Sequence, residues 1–268
     1  MTQPDYILSI SKEELGEMPV TAYPGAITLV DSAAKAHMAL RALSREKVVG
    51  FDTETKPSFR KGCRHKVALM QISTCDRCFL FRLNKIGICS ELKAFLENPD
   101  ILKIGLSVHD DFGAIRRSEE FEPQGFVELQ EMVRHFEIAD ISLQKIYAII
   151  FGERISKGQR LTNWEADTLT DAQQAYAALD AWACLKIYNV LSEHSFDHLH
   201  SPYRHHPEPG VQIPQPKREK PRPTKEEVKA QGDAAAAAAA GTTKRRRRKR
   251  RPKKKAGENT NQKTENEV

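Results

Sequence analysis

The stretch VVGFDTETKP, residues 48–57, ends an apolar run in two carboxylates, Asp52 and Glu54, with a single hydroxyl residue between them. On a strand, side chains alternate faces, so Val48, Gly50, Asp52 and Glu54 point one way and Val49, Phe51 and Thr53 the other. Two acids on one face repel, and burying them without a positive partner is costly, so the pair asks for a cation between them. A second acidic set lies in HDDFG, where Asp110 and Asp111 follow an apolar stretch and open a helix. Asp at a helix start is also a plain cap. A third set lies in YAALDAWACLKIY, where Tyr176 and Asp180 are i and i+4 on a helix and therefore neighbours on one face. A phenol beside a carboxylate suits the positioning of a water. Standing alone, the same pair reads as a core tyrosine and a surface acid.

These residues need elements to hold them. ITLV, residues 27–30, reads as a strand, and Asp31 or Ser32 can cap the amphipathic helix AAKAHMALRALSRE. The strand carrying Asp52 and Glu54 follows, then hairpin strands over 66–73 and 78–83 and a helix over 90–97. ILKIGL, residues 101–106, is a further apolar strand that runs into the helix of HDDFGAIRR, and helices are expected over 128–137, 142–151 and 171–195. Strands that first pair as a hairpin and later alternate with helices predict an α/β fold, a mixed sheet with helices on its faces. The alanines around Tyr176 and Asp180 let the last helix approach that sheet closely. No internal repeat is present.

Charge divides the chain unevenly. Residues 201–268 hold 19 Lys and Arg against 8 Asp and Glu, while residues 1–200 hold 23 against 28. A mildly acidic body over 1–200, with its core at about 25–195, is thus joined to a basic tail over 201–268, which points to a polyanionic partner. The tail is rich in Pro and charge, and carries seven consecutive alanines at 234–240 followed by KRRRRKRRPKKK at 244–255. It cannot bury a core, so it is expected to be disordered when free. No apolar run approaches membrane-spanning length, and the N-terminus lacks the basic-then-apolar pattern of a secretory signal, so a cytoplasmic protein is expected, nuclear in a eukaryote. The five cysteines are odd in number and scattered, which argues against a disulfide scaffold. Cys75 and Cys78, with Cys63 and Cys89 on either side, could hold zinc, but they read more simply as reduced thiols around a hairpin turn.

Taken together and in this order, the motifs resemble the ribonuclease D-like branch of the DEDD 3′-to-5′ exonucleases, the DEDDy subgroup named for a tyrosine in its last motif. FDTET matches the first motif, KIGLSVHDDFGAI the second and NWEADTLTDAQQAYAALDAWACLKIY the third, a likeness covering about residues 25–195. The resemblance implies a ribonuclease H-like fold with a five-stranded mixed sheet. It implies metal-binding acids at Asp52, Glu54, Asp111 and Asp180, with Tyr176 as the third-motif tyrosine; Asp110 is the ambiguous neighbour, and the register favours Asp111. The implied cofactors are two divalent cations, and oxygen-only ligands suit Mg²⁺ or Mn²⁺. The implied mechanism has one ion, on Asp52, Glu54 and Asp180, activating a water that Tyr176 orients. A second ion, shared by Asp52 and Asp111, stabilises the leaving 3′-oxygen. The expected partner is single-stranded RNA or DNA, met by the active-site groove and by the 244–255 run, with nucleoside 5′-monophosphates as products. The runner-up is a catalytically slow nucleic-acid-binding adaptor on the same fold, a reading that gives no reason to keep four mutually repelling acids together.

Overall fold

The computed structural model describes residues 6–58 and 65–194. The expected disordered tail over 201–268, its basic run at 244–255 and Cys63 all fall outside the described residues.

An opening helix, α1 (Lys12–Glu17), starts at a capping box in which Ser11 and Glu14 satisfy each other's backbone N–H groups. Strand β1 (Ala26–Val30) leads into α2 (Ala33–Leu43), capped by Ser32, whose side chain accepts from the Lys35 N–H. Three strands follow, each antiparallel to the next: β2 (Val48–Thr55), β3 (Val67–Ser73) and β4 (Arg77–Phe81). Two short helices, α3 (Leu83–Ile86) and α4 (Ser90–Leu96), precede β5 (Leu102–Gly105), α5 (Val108–Ile115), β6 (Phe126–Glu128), α6 (Leu129–His135) and α7 (Leu143–Phe151). A long helix, α8 (Asp171–Ser192), ends the described part and is opened by a capping box between Thr170 and Gln173.

The strands form one mixed sheet in the order β1-β4-β3-β2-β5-β6. The fold is therefore the mixed α/β arrangement expected, with one correction: the sheet has six strands, not five. The additional strand, β6, is three residues long and pairs parallel with β5, from Lys103↔Phe126 to Gly105↔Glu128. A strand that short carries no readable alternation, and the sequence pattern predicts only the helix from residue 128.

Alternation sorts the core into two layers. Val49, Phe51, Met70, Ile72, Phe79 and Phe81 face α2, α4 and α5 in one cluster. On the other face Leu69, Cys78 and Leu80 pack against Ala177, Ala178 and Ala181 of α8. Gly50 explains how closely α8 approaches: a Cβ there would lie 1.9 Å from the Ala181 carbonyl oxygen. Glycine is thus required at residue 50 for backbone contact, and the contact sets the height of α8 above β2. Among the described residues, no helix is long and apolar enough to cross a membrane.

Candidate active site

β2 is central in the sheet, antiparallel to β3 and parallel to β5. Its pairing with β5 runs only from Val48↔Leu102 to Gly50↔Ile104, so the end of β2 carrying Asp52 and Glu54 is free on that side. A crevice at the carboxyl ends of neighbouring parallel strands is where α/β sheets place their ligands. α8 crosses above it, held down at Gly50, and presents Asp180 one residue before Ala181.

The three elements converge on one point. Ligand oxygens of Asp52, Glu54 and Asp180 all lie within 4.8 Å of one another. Asp180 is buried, Asp52, Glu54 and Asp111 are half-buried, and Asp110 is exposed. Asp111 stands beside the trio, outside that 4.8 Å set; its carboxylate accepts from the Thr53 hydroxyl at 2.5 Å and feels the Asp52 charge. The link comes from the opposite face of β2, because Thr53 points away from Asp52 and toward α5. The structure thus brings Asp52, Glu54 and Asp180 together, tethers Asp111 at their edge and leaves Asp110 in solvent.

Burial and mutual repulsion dominate the electrostatics. Desolvation, followed by the Asp180 charge, raises Asp52 well above the usual carboxylate range. Desolvation and the neighbouring acids push Glu54 up to about 10, and desolvation with the Asp52 charge pushes Asp111 up to about 8. Asp180 is pushed up to about 7 by burial, against the lowering effect of a hydrogen bond from the Tyr176 hydroxyl. Burial, then the charges of Asp180 and Glu54, raise Tyr176, so the phenol stays protonated. Arg160 is a nearby cation that eases Glu54, while Lys56 is held by Glu165 at 3.2 Å. Among the described residues, the cations do not neutralise the cluster, whose carboxyls all stay raised. All-oxygen donors in a half-buried anionic group fit divalent Mg²⁺ or Mn²⁺, which would replace the protons these raised values retain.

Sequence and fold comparisons agree with this geometry. Residues 27–194 match the model of a protein family described as 3′-5′ exonuclease. The chain belongs to the 3′-5′ exonuclease family. The mouse bifunctional 3′-5′ exonuclease/ATP-dependent helicase WRN is 30% identical over 184 residues, covering 65% of this chain and 13% of the mouse protein. The Aedes aegypti Nibbler EXO domain superposes with a TM-score of 0.60 at 23% identity, over 65% of this chain and 92% of that one. Ribonuclease D of Escherichia coli, an exoribonuclease involved in structured RNA processing, superposes with a TM-score of 0.56 at 21% identity, over 62% of this chain and 44% of that one. This exonuclease domain is therefore of the ribonuclease D type in fold.

Three supports of the exonuclease site were not read from the sequence. Ser107 opens α5 in the left-handed region, φ 63°, with no side-chain cap of its own. Glu128 takes that role, accepting from the N–H groups of Ser107 at 2.9 Å and Val108 at 2.8 Å and so fixing the turn that aims Asp111. Trp164, fully buried, lies 6.2 Å from the Tyr176 ring, and the buried Arg82 donates to the carbonyls of Ala166 and Asp167, pinning the segment before α8. Gln71 sits in the apolar run VALMQIS directly opposite Asp52. A lone amide in an otherwise apolar strand was the signal available for it.

The alternative zinc site finds no support among the described residues. Cys75 is exposed and Cys78 buried in β4, Cys89 precedes α4, and the group whose ligand atoms converge is the carboxylate trio.

Proposed function

We propose that this chain is a metal-dependent 3′-5′ exonuclease that hydrolyses the terminal phosphodiester of single-stranded RNA or DNA and releases nucleoside 5′-monophosphates. The observation that carries the reading is the convergence of Asp52, Glu54 and Asp180 within 4.8 Å at the open end of β2. In this reading Asp52, Glu54 and Asp180 hold one cation, and Asp52 with Asp111 a second, both Mg²⁺ or Mn²⁺. When bound, such cations lower the pKa of an attacking water and neutralise charge on the phosphodiester.

The chain's own residues supply the alignment. Asp180 accepts the Tyr176 hydroxyl, and the raised phenol pKa makes Tyr176 a neutral orienting group, not a base. Its oxygen holds the water in line with the bond between phosphorus and the 3′-oxygen. That bond breaks as the water oxygen bonds to phosphorus, leaving a shortened strand with a free 3′-hydroxyl. Arg160, exposed beside Glu54, is placed to meet a phosphate. The basic run at 244–255 adds sequence-independent affinity through its charge.

RNA as substrate is supported by the likeness in fold to Escherichia coli ribonuclease D, itself an exoribonuclease. The test is incubation of the full chain with single-stranded RNA and DNA oligonucleotides in Mg²⁺, Mn²⁺ or EDTA. The expected result is 5′-mononucleotides with either metal and none in EDTA; cleavage that persists in EDTA, or none in either metal, would sink the reading.

A further inference from the structure

Among the described residues, the buried side-chain polar atoms without a hydrogen-bond partner belong to Gln71, both amide atoms, and to Trp164. Both residues line the face of the sheet that α8 covers, around the acid cluster. An orphaned buried amide lowers stability, and one in a native core asks for a reason. Gln71 is fully buried on β3 and paired with Asp52 on one side and Leu80 on the other. Directly opposed residues of an antiparallel pair share a face, with Cβ atoms about 4.5–5.5 Å apart. The strand neighbours on that face are Leu69, Leu80, Ser73 and Asp52. The Ser73 hydroxyl is already donated to the Thr74 carbonyl. The charged acceptor directly across the strand pair from Gln71 is the Asp52 carboxylate.

The geometry points to Gln71 as a positioning residue for Asp52: its amide N–H bonds the carboxylate oxygen turned away from the cations, so that the other oxygen faces them. This rests on the reading of Asp52 as a cation ligand. Metal-binding carboxylates are themselves oriented by such outer partners, and losing one typically weakens metal binding about 10–100-fold. A buried amide without a partner costs stability, and a bond to the Asp52 carboxylate of the loaded site would recover it.

The two states give opposite readouts. Gln71→Met keeps the length of the side chain and removes both orphaned atoms. In EDTA the full-length variant should melt no lower than the wild type, while calorimetric titration with Mn²⁺ should show affinity reduced about 10–100-fold. Asp52→Asn serves as the reference and should lose Mn²⁺ binding. If Asp52→Asn loses binding but Gln71→Met binds within a factor of about two of wild type, the positioning role is overturned and the metal reading stands. If Asp52→Asn binds normally, the metal reading fails and this inference with it. Should Gln71→Met not fold, the wild-type Gln71 side-chain amide resonances, assigned through contacts to Leu69 and Leu80, decide the matter: a shift on adding Mg²⁺ supports the role, and none overturns it.

Discussion

Among single residues, separate tasks fall to atoms a few ångströms apart. Asp52 sits between the two halves of the site, close to Glu54 and Asp180 and felt by Asp111. Asp52→Asn should therefore abolish turnover while raising the melting temperature in EDTA by a few degrees, because it removes a buried acid crowded by Asp180 and Glu54. Asp111→Asn should also cripple the enzyme, whereas Asp110→Asn, at an exposed position, should leave rates within about twofold. Tyr176→Phe keeps the ring against Trp164 and loses the hydroxyl; kcat should fall about 10² with KM little changed. A tyrosine that served packing alone would leave kcat intact.

The acids also set a pH dependence. Unfolded carboxyls titrate near pH 4, whereas in the folded, metal-free chain Asp180 sits at about 7, Asp111 at about 8 and Glu54 at about 10. Between those limits the folded state binds more protons than the unfolded one, so stability is full below the unfolded values and is lost as pH rises through the folded ones. Urea midpoints in EDTA should decline from about pH 5 to about pH 9, and saturating Mg²⁺ should flatten the decline. A midpoint that rises over that range in EDTA would contradict the electrostatics described.

At the scale of elements, three contacts deliver these side chains: α8 on Gly50, α5 on the Glu128 clamp, and the segment before α8 on Trp164 and Arg82. Gly50→Ala forces the α8 backbone off β2, and overpacking of this kind costs about 1–3 kcal/mol. Its Mn²⁺ affinity should fall along with its stability, because Asp180 moves with the helix. Glu128→Ala leaves the Ser107 and Val108 N–H groups unpaired at a left-handed turn and should cost about 1–3 kcal/mol. Its activity loss should exceed that of a surface change, because the turn aims Asp111. Denaturation curves and initial rates on the purified variants check both.

What the sequence disclosed follows from the same contacts. Period-two alternation from Val48 to Glu54 put both acids on one face, and i,i+4 spacing joined Tyr176 to Asp180, because both signals are local. The Ser11 to Glu14 capping box was equally local and legible, yet α1, at six residues, gave too little apolar pattern to be assigned. Glu128 and Gln71 act on residues 19 to 21 positions away, through sheet pairing with β5 and β2. Nothing in a single sequence states those registers, so their roles emerged only with the fold. β6 was missed for a related reason: its three residues become a strand by pairing with β5, not by propensity.

At the scale of the whole molecule, an acidic catalytic body is joined to eleven Lys and Arg within residues 244–255. If about half of these engage phosphates, removing residues 201–268 should flatten the slope of log K against log [salt] by about 4, at about 0.7 per contact on single strands. The body alone should still cleave short oligonucleotides, because the proposed chemistry rests on Asp52, Glu54, Asp111, Tyr176 and Asp180, all within it. Filter-binding across a salt series checks the slope; an unchanged one would assign the tail to solubility or targeting. The central claim, that the carboxylate cluster removes nucleotides from the 3′ end, is met most directly by a time course on a single strand labelled at both ends. Wild type and Asp52→Asn would be compared in Mg²⁺. The wild type should release the 3′ label first, as a mononucleotide, and shorten the 5′-labelled strand stepwise, while the folded variant should release nothing. Early release of the 5′ label, or an Asp52→Asn variant as active as wild type, would contradict it.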